Sequence, residues 1–108
     1  MARLERGEVR LYRFTSPDKP RPVVILTRTP SIHLMSTVIV ASITSTIRGV
    51  PSEVMLDESD GMKKPCCVNL HNLHTIRQHQ LGARVAVLSE TRMNEICRAL
   101  HFATGCNP

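Results

Sequence analysis

The 108-residue sequence has very few aromatic residues: no tryptophan, one tyrosine and two phenylalanines. Proteins that hold single-stranded nucleic acids by stacking the bases on a sheet need several aromatic side chains. The composition therefore argues against RNA-recognition-motif and oligonucleotide-binding folds. If this protein binds a nucleic acid, we expect it to do so through backbone charge and hydrogen bonds.

The sequence also lacks paired cysteine spacings and a long apolar run. Cys66 and Cys67 are adjacent, so on a strand their side chains face opposite ways and do not bond to each other. Reduced thiols are typical of a cytoplasm. The charged start MARLERGEVR does not fit a signal peptide, and no apolar run has membrane-spanning length. We expect a cytoplasmic protein without membrane contacts.

The length and charge predict one domain over residues 1–108 with a basic surface. Hydrophobic residues make up 42% of the chain, as in globular proteins. Fourteen basic and nine acidic residues give a net charge of +5, and eleven of the basic residues are arginine. Arginine favours phosphate or carboxylate partners. On charge alone, a polyanionic partner and an ordinary basic surface remain equally good interpretations.

The hydrophobic pattern predicts several short strands followed by one helix. Ser89 is a typical helix N-cap, apolar residues recur at helical spacing, and Gly105 is a typical stop, so we predict a helix over 89–104. The fold class is therefore mainly β, with a small, strongly bent antiparallel sheet or barrel and a closing helix. The predicted strands are 8–14, 23–26, 37–43, 52–56, 66–70 and 82–88.

Two segments carry groups that bind phosphate. Arg21 stands between Pro20 and Pro22, which restrict the backbone and present its guanidinium from a proline-rich loop. After the strand 37–43 comes TSTIRG (44–49), in which neighbouring hydroxyls and an arginine can donate to phosphate oxygens. A solvated loop arginine and a Ser/Thr turn are the alternative interpretations.

The segment NLHNLHTIRQHQ (69–80) is rich in histidine. His71 and His74 are three residues apart, which places them on opposite faces of a strand, so we predict no metal site here. A histidine beside a phosphate-binding arginine is a candidate proton acceptor, because histidine titrates near neutral pH. His74 and His79 are interpreted as surface histidines. We expect no cofactor.

The candidate groups suit one reaction better than the others. The sequence has no GxSxG motif, no patterned catalytic cysteine and no phosphate-binding Walker loop. Arginine, threonine, serine and histidine together suit cleavage of RNA, in which the 2′-hydroxyl is itself the nucleophile. The protein then has only to orient the strand, stabilise charge on phosphorus and move two protons.

A succession of segments in a fixed order gives a family resemblance. The sequence resembles the MazF/PemK family of toxin–antitoxin ribonucleases across essentially the whole chain. The segments are RGEV (6–9), RPVVIL (21–26), STVIVASITSTIRG (36–49), PSEVML (51–56), CCVNLHNLHTI (66–76) and LGARVAVLSETRMNEICRAL (81–100).

The resemblance implies a fold, an activity and partners. The fold would be a small SH3-like antiparallel barrel with a C-terminal helix, working as a homodimer. The activity would be sequence-specific, metal-independent cleavage of single-stranded RNA to a 2′,3′-cyclic phosphate, which inhibits translation and growth. A cognate antitoxin would inhibit the protein. The scarcity of aromatics in a small core also predicts apolar sheet surface that a second copy covers.

The resemblance also implies roles for individual residues. Arg21 matches the arginine of the family's RP motif, and Thr44 matches its hydroxyl residue after the central strand. Arg21 would bind the scissile phosphate and protonate the leaving oxygen, and Thr44 would orient the phosphate. His71 stands where several relatives have an acid and is the candidate proton acceptor. The predicted RNA contacts are Lys19, Ser45, Thr46, Arg48, Asn69 and Asn72.

Two other functions remain open from the sequence. One is a basic nucleic-acid-binding module without catalysis, which would bind RNA and release no product. The other is a gyrase poison of the same fold. Relatives of that kind act through a tryptophan-containing end of the C-terminal helix, and this chain has no tryptophan and ends TGCNP. The second alternative is therefore disfavoured.

Overall fold

The computed structural model describes residues 3–106 and forms one antiparallel sheet of six strands, curled into a half-barrel. The strand order is β4-β5-β3-β2-β1-β6, so β3 and β5 lie near the middle. The strands are β1 (Glu8–Tyr12), β2 (Arg21–Ile25), β3 (Thr37–Thr44), β4 (Glu53–Leu56), β5 (Cys66–Arg77) and β6 (Arg84–Val87). The helices are α1 (Thr29–Ile32) and α2 (Glu90–Thr104), and Glu58–Asp60 and Gln78–Gln80 form 3-10 turns. The predicted mainly β fold with a closing helix is confirmed.

Helix α2 begins and ends where the sequence predicts. The Ser89 side chain accepts a hydrogen bond from the Arg92 backbone N–H at 3.2 Å. Gly105 ends the helix in the left-handed conformation (φ 70°), which glycine adopts without a steric penalty. Ile96 and Ala99 point into the core, whereas Cys97 is exposed. All four cysteines are free thiols.

The side of the sheet that α2 covers, which we call the helix face, holds the larger core. Helix α2 packs there against β4 and β5. The burial of apolar side chains between α2 and the sheet is the main force that holds the helix in place. The buried residues of this core are Val9, Val24, Leu26, Ala41, Ile43, Val54, Leu56, Met62, Cys66, Val68, Leu70, Leu88, Ile96 and Ala99.

The opposite side of the sheet, which we call the open face, holds a second and smaller core. Tyr12 and Phe14 are partly buried and pack against this core. Short helix α1 covers this core with Ile32. The buried residues are Val23, Ile25, Ile32, Val38, Val40 and Ile76.

Strand β5 is much longer than predicted, since the pattern gave 66–70 and the strand runs to Arg77. Ser42 pairs with Asn69 and the preceding Ala41 pairs with Leu73, so three residues of β5 have no partner on β3. Such a bulge bends a strand and lets one strand serve both halves of a curled sheet. The polar residues of the bulge interrupt the hydrophobic alternation and hide the strand's second half.

No helix among residues 3–106 is both long and apolar enough to cross a membrane.

Candidate active site

The open face of the sheet is apolar at one end and polar at the other. Side chains two residues apart share a face, so Arg21 continues the row of Val23 on β2, and Ser42 and Thr44 continue the row of Val40 on β3. His74 pairs with Val40 and lies two residues before the buried Ile76 on β5. Arg21, Ser42, Thr44 and His74 form the polar end of the open face.

The polar end lines a cavity of about 410 Å³. Three cationic side chains, Lys19, Arg21 and Arg48, face it together with two carboxylates, Asp18 and Glu53. The cations and the amide and hydroxyl groups give the cavity the donors that a phosphate requires. The remaining lining residues are Phe14, Pro22, Ser42, Ile43, Thr44, Thr46, Asn69, Asn72 and His74.

The structure brings most of the predicted site residues to this cavity. Arg21 lies on strand β2, paired with Tyr12, and not in the loop where the flanking prolines placed it. Arg21 and Thr44 face the cavity with the predicted contacts Lys19, Thr46, Arg48, Asn69 and Asn72.

His71 and Ser45 do not line this cavity. The His71 side chain is exposed in the β5 bulge, and its backbone N–H donates to Asn69 Oδ1 at 3.0 Å. Ser45 is also exposed and lines a neighbouring cavity.

The Thr44 hydroxyl is held by the backbone that follows it. The Thr46 N–H donates to Thr44 Oγ1 at 3.1 Å, which closes a Ser/Thr turn at the end of β3. A hydroxyl has one donor and two acceptor positions, so its O–H remains able to donate into the cavity. The turn interpretation and the phosphate-binding interpretation of Thr44 are therefore compatible.

Glu53, a residue missed from the sequence, fixes the loop that carries Arg48. Its carboxylate accepts hydrogen bonds from the backbone N–H of Gly49 at 2.9 Å and of Arg48 at 3.1 Å. Burial raises the pKa of Glu53, but these backbone hydrogen bonds and the nearby Arg48 charge outweigh it, and its pKa lies below the ordinary value. Gly49 has a φ of 75° and suits the turn that brings both N–H groups to one carboxylate.

Cys67 packs beneath the same loop as a neutral thiol. Its sulfur lies 3.7 Å from the Thr46 carbonyl oxygen, to which it donates. Burial, with a smaller effect of the Glu53 charge, raises the pKa of Cys67 to about 11. A neutral thiol is a poor nucleophile. The contact with the Thr46 carbonyl oxygen therefore indicates a structural role for Cys67 beneath the loop.

His74, which the sequence led us to interpret as a surface histidine, is half-buried and lines the cavity, so that interpretation is wrong. Its ring packs edge-on against Phe14, with the ring centroids 4.7 Å apart. Its Nε2 atom is covered from solvent and has no hydrogen-bond partner among residues 3–106. The two-residue spacing from Ile76 was the signal that could have placed His74 on the open face.

A second cavity of about 560 Å³ adjoins the first, and Arg21 and Thr44 line both. Its floor is largely apolar, and Lys63 and Lys64 stand at its edge. Arg21 and Thr44 therefore lie on the ridge between a polar and an apolar cavity. The other residues of the second cavity are Leu11, Pro22, Ile43, Ser45, Met62, Cys66 and Val85.

The described residues contain no group of three or more histidine, cysteine, aspartate or glutamate side chains that could hold a metal ion. The prediction of metal-independent chemistry stays a prediction.

Comparisons with known proteins agree with this fold. Residues 5–103 match the family described as "PemK-like, MazF-like toxin of type II toxin-antitoxin system". The chain is 36% identical over 104 residues to the "Probable endoribonuclease MazF2" of Mycobacterium tuberculosis, covering 95% of this chain and 100% of that protein.

Solved structures give the same result. "Mycobacterium tuberculosis toxin MazF-mt6" superposes with a TM-score of 0.85 at 31% identity, over 94% of this chain and 99% of that one. A structure described as "Endoribonuclease in complex with its cognate antitoxin from Mycobacterial species" superposes with a TM-score of 0.87 at 25% identity, covering 97% of this chain and 98% of that chain. The chain belongs to the PemK/MazF family of toxins of type II toxin–antitoxin systems.

Proposed function

We propose that this protein is an endoribonuclease toxin that cleaves single-stranded RNA at the ridge formed by Arg21 and Thr44. The observation that carries the proposal is the convergence of a guanidinium and an oriented hydroxyl, from two neighbouring strands, on one cavity. Relatives that are named endoribonucleases share this fold over nearly the whole chain. Cationic and hydroxyl groups at one point suit the scissile phosphate.

The proposed reaction uses the RNA's own 2′-hydroxyl and no metal ion. The 2′-oxygen forms a bond to phosphorus while the bond from phosphorus to the 5′-oxygen breaks, which leaves a 2′,3′-cyclic phosphate and a 5′-hydroxyl. Arg21 neutralises the charge that develops on the phosphate oxygens and protonates the leaving oxygen. Thr44 donates a hydrogen bond that orients the phosphate.

The polar cavity supports a role in reading the RNA sequence. Asn69 and Asn72 line it, and amide side chains can donate to and accept from base edges. The Asn69 carbonyl oxygen is already used by the His71 backbone N–H, so its NH₂ group is the part available to a base. Lys19, Thr46 and Arg48 would hold the adjoining phosphates.

The experiment that tests this function is incubation of the purified protein with a mixed RNA pool in excess EDTA. We expect cleavage with 2′,3′-cyclic phosphate and 5′-hydroxyl ends, which enzymatic end-labelling and mass spectrometry identify. Activity that EDTA abolishes and a divalent ion restores would contradict the metal-independent reaction. Binding of RNA without any product would favour the non-catalytic binding module.

We propose that the protein acts as a homodimer. Several large apolar side chains are more than a third exposed, and a second copy would remove part of this surface from water. They include Ile39, Leu73, Val87 and Phe102. Light scattering at micromolar concentration should give twice the mass of the chain, and an active monomer would refute this assembly.

We propose a cognate antitoxin as the inhibiting partner. The net charge of +5 and the cations around the cavity favour an acidic, initially disordered antitoxin segment that folds as it binds. Such a segment would compete with RNA for the polar end. An antitoxin that inhibits cleavage while RNA still binds with full affinity would contradict this mode of inhibition.

A further inference from the structure

The polar end contains one histidine, and the roles proposed for Arg21 and Thr44 do not use it. His74 lies on β5 opposite Val40 of β3 and lines the same cavity as Arg21 and Thr44. It lies two residues before the buried Ile76, in a part of β5 that is paired with β3. The sheet therefore fixes the backbone that carries His74.

The His74 ring is held by an aromatic neighbour and has an unused nitrogen. Phe14 contacts the ring edge-on at 4.7 Å, and Tyr12 packs edge-on against Phe14 at 4.8 Å. Nε2 is shielded from solvent and makes no hydrogen bond to any described residue. Buried polar nitrogens are almost always hydrogen-bonded, so a ring nitrogen without a partner, on a side chain that lines the cavity, marks His74 as a group that the fold does not use for its own hydrogen bonding.

The reaction requires a proton acceptor that Arg21 and Thr44 do not provide. The 2′-hydroxyl loses a proton as its oxygen bonds to phosphorus, and the 5′-oxygen gains one as its own bond breaks. A guanidinium has no acceptor atom, and an alcohol is a poor base. An imidazole accepts a proton near neutral pH and releases it again to water.

The other charged groups facing the cavity are less suited to this step. The cations Lys19, Arg21 and Arg48 attract the phosphate, and Glu53 is engaged by two backbone N–H groups. Asp18 stands in the exposed loop before β2.

From this arrangement we propose that His74 is a catalytic residue that accepts the proton of the attacking 2′-hydroxyl, with Phe14 as the positioning residue for its ring. The proposal rests on the proposed RNA cleavage at Arg21 and Thr44. The proton moves from the 2′-oxygen to His74 as the bond from the 2′-oxygen to phosphorus forms. The bond from phosphorus to the 5′-oxygen breaks, and the leaving 5′-oxygen takes a proton from Arg21. Water then accepts the proton from His74 and returns one to Arg21, which restores both side chains.

The test is the pH dependence of single-turnover cleavage at subsaturating RNA, in EDTA, for the wild type and His74→Gln. The wild-type rate should rise about tenfold per pH unit at low pH and then level off. We call the rising part of this profile the acid limb. His74→Gln should cleave about a hundred-fold more slowly or worse at neutral pH and lack the acid limb. An acid limb that survives in His74→Gln overturns the proposal.

Matched variants separate His74 from the other candidates. His79→Gln, an exposed histidine outside the cavity, should retain the wild-type rate and profile. Phe14→Leu should slow cleavage but keep the acid limb, because the imidazole remains and only its packing is lost. Loss of the acid limb in His71→Gln or Asp18→Asn, with His74→Gln unaffected, would assign the proton to another group.

A measurement on the wild type covers the case in which His74→Gln fails to fold. Two-dimensional NMR of the imidazole follows the titration of His74 in the free protein, and its midpoint should coincide with the kinetic one. A mismatch overturns the proposal. If the wild-type protein releases no product from RNA, the proposed function itself fails. Cleavage that is independent of pH leaves that function standing and removes only His74.

Discussion

The two ends of the open face are built from the same strands and differ in what those strands present. At one end β2, β3 and β5 bury Ile25, Val40 and Ile76, and at the other end they present Arg21, Thr44 and His74. The spacing along each strand is the same two-residue alternation. On each of these strands, one row of side chains thus passes from the core to the candidate active site within a few residues.

This difference explains how so small a protein can hold charged groups in place. Burial of the apolar side chains fixes the positions of the strands. The same strands carry the polar side chains, which are therefore held in place without a core of their own. Stability should therefore depend on one end and activity on the other. Substitutions at each end test whether stability and activity are separate in this way.

The largest effect on activity should come from Arg21→Ala. Removal of a preorganised charge from the developing phosphorane costs about 3–4 kcal/mol, or a hundred- to thousand-fold in single-turnover rate. Arg21→Lys should recover part of the rate, since an ammonium keeps the charge but loses the planar fork. Arg77→Ala, an exposed arginine near the apolar end, is the matched control and should cleave normally. Circular dichroism melts should show all three near the wild type.

The largest effect on stability should come from Ile25→Ala at the apolar end. Ile25 is fully buried, and its truncation should lower the free energy of unfolding by about 2–5 kcal/mol, as measured by denaturant titration. At a temperature where the variant is folded, its cleavage rate should match the wild type. Leu34→Ala, which removes an 86% exposed side chain, should change neither quantity. A large loss of rate in folded Ile25→Ala would show that the two ends are coupled.

A smaller effect should follow from Thr44→Ala. The variant loses one neutral hydrogen bond to the phosphate, worth about 1–2 kcal/mol and a corresponding fall in single-turnover rate. Thr44→Ser keeps the hydroxyl and should restore most of the activity. If Thr44→Ser is as slow as Thr44→Ala, the hydroxyl is not the group that acts.

The smallest effect should come from Glu53→Gln, which tests the support of the Arg48 loop. The folded-state pKa of Glu53 is lowered, so the carboxylate stabilises the fold above its unfolded-state pKa. That contribution is lost as the pH falls through the lowered value. The melting temperature of the wild type should therefore drop more steeply than that of Glu53→Gln below about pH 4.5. Parallel curves for the two proteins would contradict this role.

The sequence predicted the fold better than the details of the site. Strand and helix patterns placed β3 and α2 within about a residue of their bounds, because an uninterrupted apolar run and clear caps mark both. The second half of β5 was missed because the bulge at residues 70–72 interrupts the alternation with polar side chains. A strand bent in this way is specified by its partners on both sides, which a local pattern does not contain.

The same bulge explains why the sequence pointed to His71, which lies outside the cavity, and not to His74, which lines it. Regular alternation from Asn69 would place His71 on the open face and His74 on the opposite face, and the three unpaired residues of the bulge reverse this assignment. His71 also stands where several relatives have an acid. Counting back from buried Ile76 places His74 with the open face. Glu53 was missed for a different reason, since its partners are backbone N–H groups of a turn and leave no side-chain pattern.

The most direct test of the central claim is an NMR titration with an RNA oligonucleotide that carries a single 2′-deoxy nucleotide at its mapped cleavage position. This RNA binds but lacks the nucleophile, so the complex is stable enough to observe. We predict chemical-shift changes concentrated at the polar end and in the cavity it lines, at Arg21, Thr44, Thr46, Arg48, Asn72 and His74, and none at the buried apolar end. Changes centred on α2 or on α1, with the polar end unmoved, would contradict the account.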